Sequence, residues 1–234
     1  MSTLQTPRTT VKRLAKRGVY DRDIVYSILD EGLICHAGFV VDGAPVVIPT
    51  IHWRHGDTLY FHGSAASRML RSLRDGVEAC VTVTLLDGLV IARSAFHHSM
   101  NYRSAVVFGL AREVTDRAEK LAALDALVEH VLPGRASEAR PANEIELRQT
   151  MVLALPIEEA SAKVRTGGPI DDDEDYGLPI WAGVIPVRLA YGEPEDDGRV
   201  MVGVSESVAN ATTAERPRSF ARTQSTARGV HAGD

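Results

Sequence analysis

Residues 46–68 read VVIPTIHWRHGDTLYFHGSAASR, from Val46 to Arg68, and this stretch decides the fold. It reads as a strand ending in Pro49-Thr50-Ile51, a turn at His55-Gly56-Asp57, and a second strand over Thr58–His62. A small-residue corner then opens a helix. Gly63 has no Cβ, so the backbone there can turn sharply and approach a ligand. Ser64 is placed to cap the helix, which is expected from about Ala66 to Arg74. The N–H groups of such a helix start, with Ser67 and Arg68 beside them, form a candidate anion site. Taken alone, the stretch also fits a plain hairpin followed by a capped surface helix.

Working outward, the same grammar recurs. Asp42-Gly43 is a strong hairpin signal between LICHAGFVV and APVVIPTIHW. Pro45 and Pro49 mark the second of these strands as an edge or a broken strand, because proline cannot donate to a ladder. VEACVTVTLL is rich in β-branched residues, and Asp87-Gly88 predicts another hairpin with LVIARSAF. The segment from His97 to Ser104 is too polar for an ordinary strand interior and precedes the strand AVVFGLAREV. Asp116 caps an amphipathic helix running to about Val131, and a strand follows at TMVLALPI. A short helix is expected around Glu158–Val164. The acidic run Asp171–Asp175 lacks the spacing of a calcium loop and reads as solvated. LPIWAGVIPVRLA is the last expected element. Residues 1–17 read as a flexible arm, 18–204 as one domain, and 205–234 as a disordered tail. The fold class is mainly β with flanking helices, an antiparallel six-stranded split β-barrel.

The 234 residues are 44% hydrophobic and 24% charged, with a formal net charge of −5. That balance suits a globular domain and argues against broad nucleic-acid binding. No apolar run approaches the roughly 20 residues a bilayer span needs. The polar N-terminus does not read as a secretory signal. The two cysteines, Cys35 and Cys80, lie in apolar runs and read as buried thiols, which points to a reducing cytoplasm. The histidines carry no HExxH or Cys–His pattern, so no metal site is assigned. GxSxG, Walker and GxGxxG motifs are absent from the sequence. A chain with a phosphate corner and no catalytic triad suits redox chemistry carried by a bound cofactor.

Three stretches carry a family resemblance: VVIPTIHW with LYFHGSAASR, SMNYRSAVVFG, and DYGLPIWAGVIPV. Over roughly Gly18–Leu189 the chain resembles the pyridoxamine 5′-phosphate oxidase-like proteins with the FMN-binding split barrel, nearest to the nitroimidazole-resistance branch. The resemblance implies a homodimer with FMN at its interface. It implies flavin contacts from Pro49, Thr50, Ile51, Phe61, His62 and Gly63, with phosphate contacts at Ser67 and Arg68 beside Ser64. Asn101, Tyr102, Arg103 and Ser104 match a stretch entering the same site, and Trp181 matches a position often supplied by the other subunit. His62 is the histidine placed nearest the chemistry. Met69 stands where the vitamin B6 oxidases carry lysine, and their C-terminal Arg and His have no match here. The implied function is an FMN-dependent oxidoreductase passing electrons to a small flat acceptor such as a quinone or nitroaromatic. The alternatives are a non-catalytic flavin- or haem-binding protein and a deazaflavin-dependent reductase.

Overall fold

In the computed structural model, which describes residues 3–213, the chain begins packed rather than loose. Leu4 is fully buried in the main core. Its carbonyl accepts from Ala160 N–H, 3.1 Å away. Arg8 bridges Glu78 and Glu159 and lies 4.8 Å over the Phe108 ring. One buried leucine and one well-bridged arginine hold a segment whose composition alone suggested a free arm.

Strand β1 (Gly18–Val19) leads to helix α1 (Arg22–Glu31), capped by the Asp21 carboxylate. Strands β2 (Ile34–Val41) and β3 (Ala44–Ile51) form the expected hairpin. Asp42 and Gly43 both have positive φ, 51° and 76°, the turn geometry that matches the twist of the flanking strands. A break at His52 separates β3 from β4 (Trp53–His55), which pairs with β5 (Thr58–Ser64). Helix α2 (Arg68–Arg74) follows, then the long strand β6 (Ala79–Ile91), β7 (Ser99–Gly109) and β8 (Arg112–Glu113). Helix α3 (Arg117–Val131) has Asp116 as its cap, as the sequence indicates. Short helices α4 (Arg135–Glu138) and α5 (Glu144–Gln149) precede β9 (Thr150–Pro156) and β10 (Glu159–Arg165). Strand β11 (Gly183–Pro186) and helix α6 (Glu206–Thr213) complete the described residues. The tail expected from 205 is thus helical up to Thr213, with Ser207 bonded to Glu138 of α4. The rest of that expectation lies outside the described residues, as do Met1 and Ser2.

The fold is mainly antiparallel β with flanking helices, in keeping with the split-barrel class, but the strands form two open sheets rather than a closed six-stranded barrel. The larger sheet has the order β1-β10-β7-β6-β2-β3, with β11 also on β6; the smaller is β4-β5-β9-β8. One core fills the space between the sheets and α2, built from residues such as Phe39, Leu59, Phe61, Leu70 and Leu153. A second, under α3, contains Trp53, Tyr60, Ala123 and Val152. As the prolines suggest, β3 is an edge strand.

Three local expectations are overturned. Asp87-Gly88 makes no hairpin: β6 runs straight through it with a bulge after Leu86. Gly88 pairs with Asn101 on one side and Pro186 on the other. The extra residue of a bulge turns a side chain that would otherwise alternate, and here it aims the Asp87 carboxylate at Arg103. The polar run from Ser99 is strand after all, because its buried members are paired. Arg103, only 3% exposed, is held bidentately by Glu31 (2.6 and 2.8 Å) and by Asp87 (2.8 and 2.9 Å). Burial opposes its charge, but the bonds from Glu31 and Asp87 outweigh that and raise its pKa. Finally, residues 159–165 are strand β10 instead of helix. Pairing with β7 buries Ala160 and Ala162, and that tertiary gain overrides alanine's helix preference.

Removing one partner from a buried ion pair leaves an uncompensated charge. Asp87→Ala should therefore lower the unfolding free energy by about 3–5 kcal/mol, whereas Glu144→Ala, which breaks an exposed, solvent-screened pair with Arg117, should leave the unfolding midpoint almost unchanged. Urea unfolding followed by circular dichroism measures both.

Candidate functional site

The break at His52 leaves two strand edges open. Beyond Tyr60, β5 has β9 on one side only, since β4 pairs no further than Thr58–Tyr60. Likewise β3 pairs with β2 alone, and it packs against β5. Pro49–Ile51 and Phe61–Ser64 therefore offer backbone donors and acceptors that no strand of the described residues covers. The side chains divide between faces. Phe61 is fully buried in the core, so only its backbone is available to a ligand. Thr50 lies opposite buried Cys35 and points inward with it, whereas Pro49 and Ile51 pair with His36 and Ile34 on the outer face.

At the β5–α2 corner the helix cap is Ser67, not Ser64: its Oγ accepts from Leu70 N–H at 3.4 Å. Ser64 closes the preceding turn, its carbonyl accepting from Ser67 N–H and its Oγ from Ala66 N–H. Arg68 is exposed, and no bond to any described residue engages its guanidinium. Met69, in place of lysine, is buried in the core, so position 69 faces away from the corner. The absence of a side chain at Gly63 serves packing, because a Cβ there would press on Leu70 Cδ1 at 3.2 Å.

His62 lies on the face of β5 that carries Tyr60, toward α3. Its ring lies edge-on to that of Trp53, with centroids 5.6 Å apart, and its buried Nδ1 has no partner among the described residues. Burial lowers its pKa, so it is held neutral. His52, which the sequence groups with His55 and His62 near the first hairpin, is fully buried at the break. Its Nε2–H donates to Leu29 carbonyl at 3.0 Å, while His130 on α3 donates to Gly32 carbonyl at 3.0 Å. The two rings lie 5.5 Å apart. Only the small sheet's position under α3, which no local pattern reveals, makes this pair. His55 stays exposed at its turn, and among the described residues no group of three His, Cys, Asp or Glu side chains is placed to hold a metal ion.

Asn101 and Arg103 face the interior and are engaged there; Asn101 accepts from Arg165 at 2.6 Å and donates to Gly167 carbonyl. Tyr102 and Ser104 alternate with them and so share the outer face with Leu86 and Thr84. Met100, Leu89 and Ile185 continue that face through β7, β6 and β11, and all three are exposed. Trp181, at the start of the β11 segment, is 64% exposed. Asp171 departs from the rest of its acidic run. It is buried, accepting from the N–H groups of Arg93 and Ser94 and from the Arg93 guanidinium at 3.1 Å.

A cleft of about 960 Å³ lies elsewhere, between α1 and α3, walled by Asp23, Asp30, Glu31, Asp125 and Glu129. Arg54 beneath it is bound to Asp30 and Gly56. Asp30 and Glu31 are paired with Arg54 and Arg103, but Asp23, Asp125 and Glu129 leave the wall net negative and disfavour a phosphate there.

The model of the pyridoxamine 5′-phosphate oxidase family matches residues 21–164, more than half of the chain. The chain belongs to this family. The flavocytochrome Anf3 from Azotobacter vinelandii is 43% identical, covering 88% of this chain and 97% of that one at a TM-score of 0.82. An FAD- and haem-binding protein from Mycobacterium smegmatis is 39% identical over 84% of this chain and 97% of its own, with a TM-score of 0.80. A candidate 5-nitroimidazole resistance protein from Bacteroides thetaiotaomicron is 25% identical over 63% and 86%, at 0.53. Comparison with curated proteins gives no match. The fold is thus a flavin-binding one of this family, and no helix among its described residues is long and apolar enough to cross a membrane.

Burial, and next to it the neighbouring His130, push the His52 pKa from 6.5 down to about 4. Below pH 6.5 the unfolded chain takes up a proton that the folded chain refuses. The contribution of His52 is therefore complete above about pH 6.5 and declines toward pH 4, by at most about 1.4 kcal/mol per pH unit. Urea unfolding at a series of pH values should show this slope, and His52→Gln should flatten it to what His62, shifted in the same direction, still contributes.

Proposed function

We propose that this protein binds a flavin and a haem and works as a redox protein, with FAD rather than FMN as its flavin. The observation that carries this reading is the pair of relatives at 43% and 39% identity. One is a flavocytochrome and the other binds FAD and haem, and each is matched over nearly its whole length. A flavin supplies hydride or single-electron transfer and a haem supplies single-electron transfer; the chain's own residues bind and orient them.

Those residues suit a flavin. The uncovered edges at Pro49–Ile51 and Phe61–Ser64 suit the polar rim of an isoalloxazine, with Tyr102 and Ser104 on the neighbouring outer face. Arg68 is an unengaged cation at the corner and suits a phosphate. His62 brings a neutral imidazole with an unpartnered buried nitrogen to the same strand. The apolar outer face, together with exposed Trp181, supports a homodimer in which each subunit completes the other's cofactor site. The acceptor in this reading is a small flat molecule, such as a quinone or nitroaromatic. The narrower reading, FMN without haem, follows from the family resemblance to the nitroimidazole-resistance branch, whose solved relative matches at lower identity.

The purified protein should carry both a flavin spectrum and a Soret band, elute at the mass of two chains, and release FAD on acid extraction. Release of FMN with no haem uptake would return the protein to the narrower reading. Losing a charge-assisted bond costs about 1.5–3 kcal/mol, so Arg68→Gln should raise the flavin Kd by about 10- to 100-fold in a fluorescence titration, while the melting temperature of the apoprotein stays unchanged.

A further inference from the structure

We propose that Nε2 of His98 would hold the iron of a bound haem, at the end of the apolar outer face where β7 begins. This rests on the flavohaem reading above. A histidine that binds a metal through one ring nitrogen is usually fixed by a hydrogen bond from the other to a carbonyl or carboxylate. The Nδ1 of His98 lies 3.0 Å from the Ser94 carbonyl. A carbonyl can only accept, so Nδ1 carries the proton and the lone pair is on Nε2. That nitrogen has no partner among the described residues, and the side chain is exposed. Ligation through it releases no proton.

The acceptor is itself held rigidly. Ser94 N–H donates to buried Asp171, and the Ser94 hydroxyl caps the turn at Phe96. The surroundings suit a porphyrin face. Met100 lies two residues further along the strand, with Leu89 paired opposite it and Ile185 opposite Leu89. Phe96, two residues before His98, is 88% exposed.

The other histidines among the described residues fit less well. His52 and His130 each have Nε2 on a backbone carbonyl beside α1. His97 Nε2 faces the Asp172 carboxylate at 3.3 Å. His62 is packed against Trp53, and no bond within the described residues sets the tautomer of His55 at its exposed turn. His36 is exposed on the outer face, but nothing in the described structure sets its tautomer or ring orientation.

The test uses the full chain loaded with flavin and titrated with haemin, followed by the Soret band and by the iron–imidazole stretch in resonance Raman spectra. His98→Gln should weaken haemin binding at least about tenfold and abolish the iron–imidazole stretch, while the flavin spectrum persists and shows that the fold is intact. Free imidazole should restore the Soret band. His36→Gln should bind haemin as the unaltered chain does. Unchanged haemin binding and an unchanged stretch in His98→Gln, or their loss in His36→Gln, would overturn the assignment while leaving the flavohaem reading in place. A flavin-loaded wild-type chain that takes up no haemin would overturn both.

Discussion

A single buried guanidinium organises the large sheet. Arg103 lies inside the fold as a charge, which is tolerable only if opposite charges accompany it. Glu31 comes from the last turn of α1 and Asp87 from the middle of β6, two elements with no local reason to meet. Asp87 reaches Arg103 because β6 bulges there. The bulge lets β6 continue to Ile91 instead of turning back, and that extension is the edge on which β11 docks. The far end of the apolar outer face, where Ile185 pairs with Leu89, lies on that extension. The same ion cluster takes Arg103 out of direct ligand contact, although the family resemblance placed it in the flavin stretch.

What the sequence revealed and what it hid divide along one line. Features that depend on a residue's own backbone preference were legible. Asp42-Gly43 turned as expected, Asp116 capped α3, and the prolines of β3 marked an edge. Features that depend on a distant partner were not. Asp87-Gly88 has the composition of a hairpin but is held extended by strands on both sides. Residues 159–165 carry alanines that suit a helix, yet they complete a ladder with β7. Leu4 appears isolated in a polar lead-in, and only the three-dimensional core supplies its environment. The helix cap was misplaced by three residues, from Ser67 to Ser64, because both serines precede the same apolar run.

The candidate site follows the same division. Its backbone elements, the two strand edges flanking the break at His52, could be read from Pro49 and from the small-residue corner. The side-chain roles could not, because strand alternation decides which face each residue serves. Phe61 and Thr50 turn inward, and His62 turns toward α3. The histidines at 52 and 130, seventy-eight positions apart, meet only once α3 lies over the small sheet. The acidic cleft between α1 and α3 shows how charge separates one cavity from another: it has the volume for a nucleotide and the wrong sign for one.

The packed lead-in before β1 has a consequence for how the large sheet closes. Thr6 and Arg8 find Glu159 across more than 150 positions of sequence, and Gly18-Val19 pairs with Lys163 and Ala162. Arg8 also reaches Glu78 and the Phe108 ring, but the ladder and the Glu159 bonds of this segment wait on β10, the last strand but one. Sheets closed by such distant contacts form slowly. The hairpin at Asp42-Gly43 closes a loop of two residues, while residues 3–19 join β10 across a far longer one and seal the finished sheet.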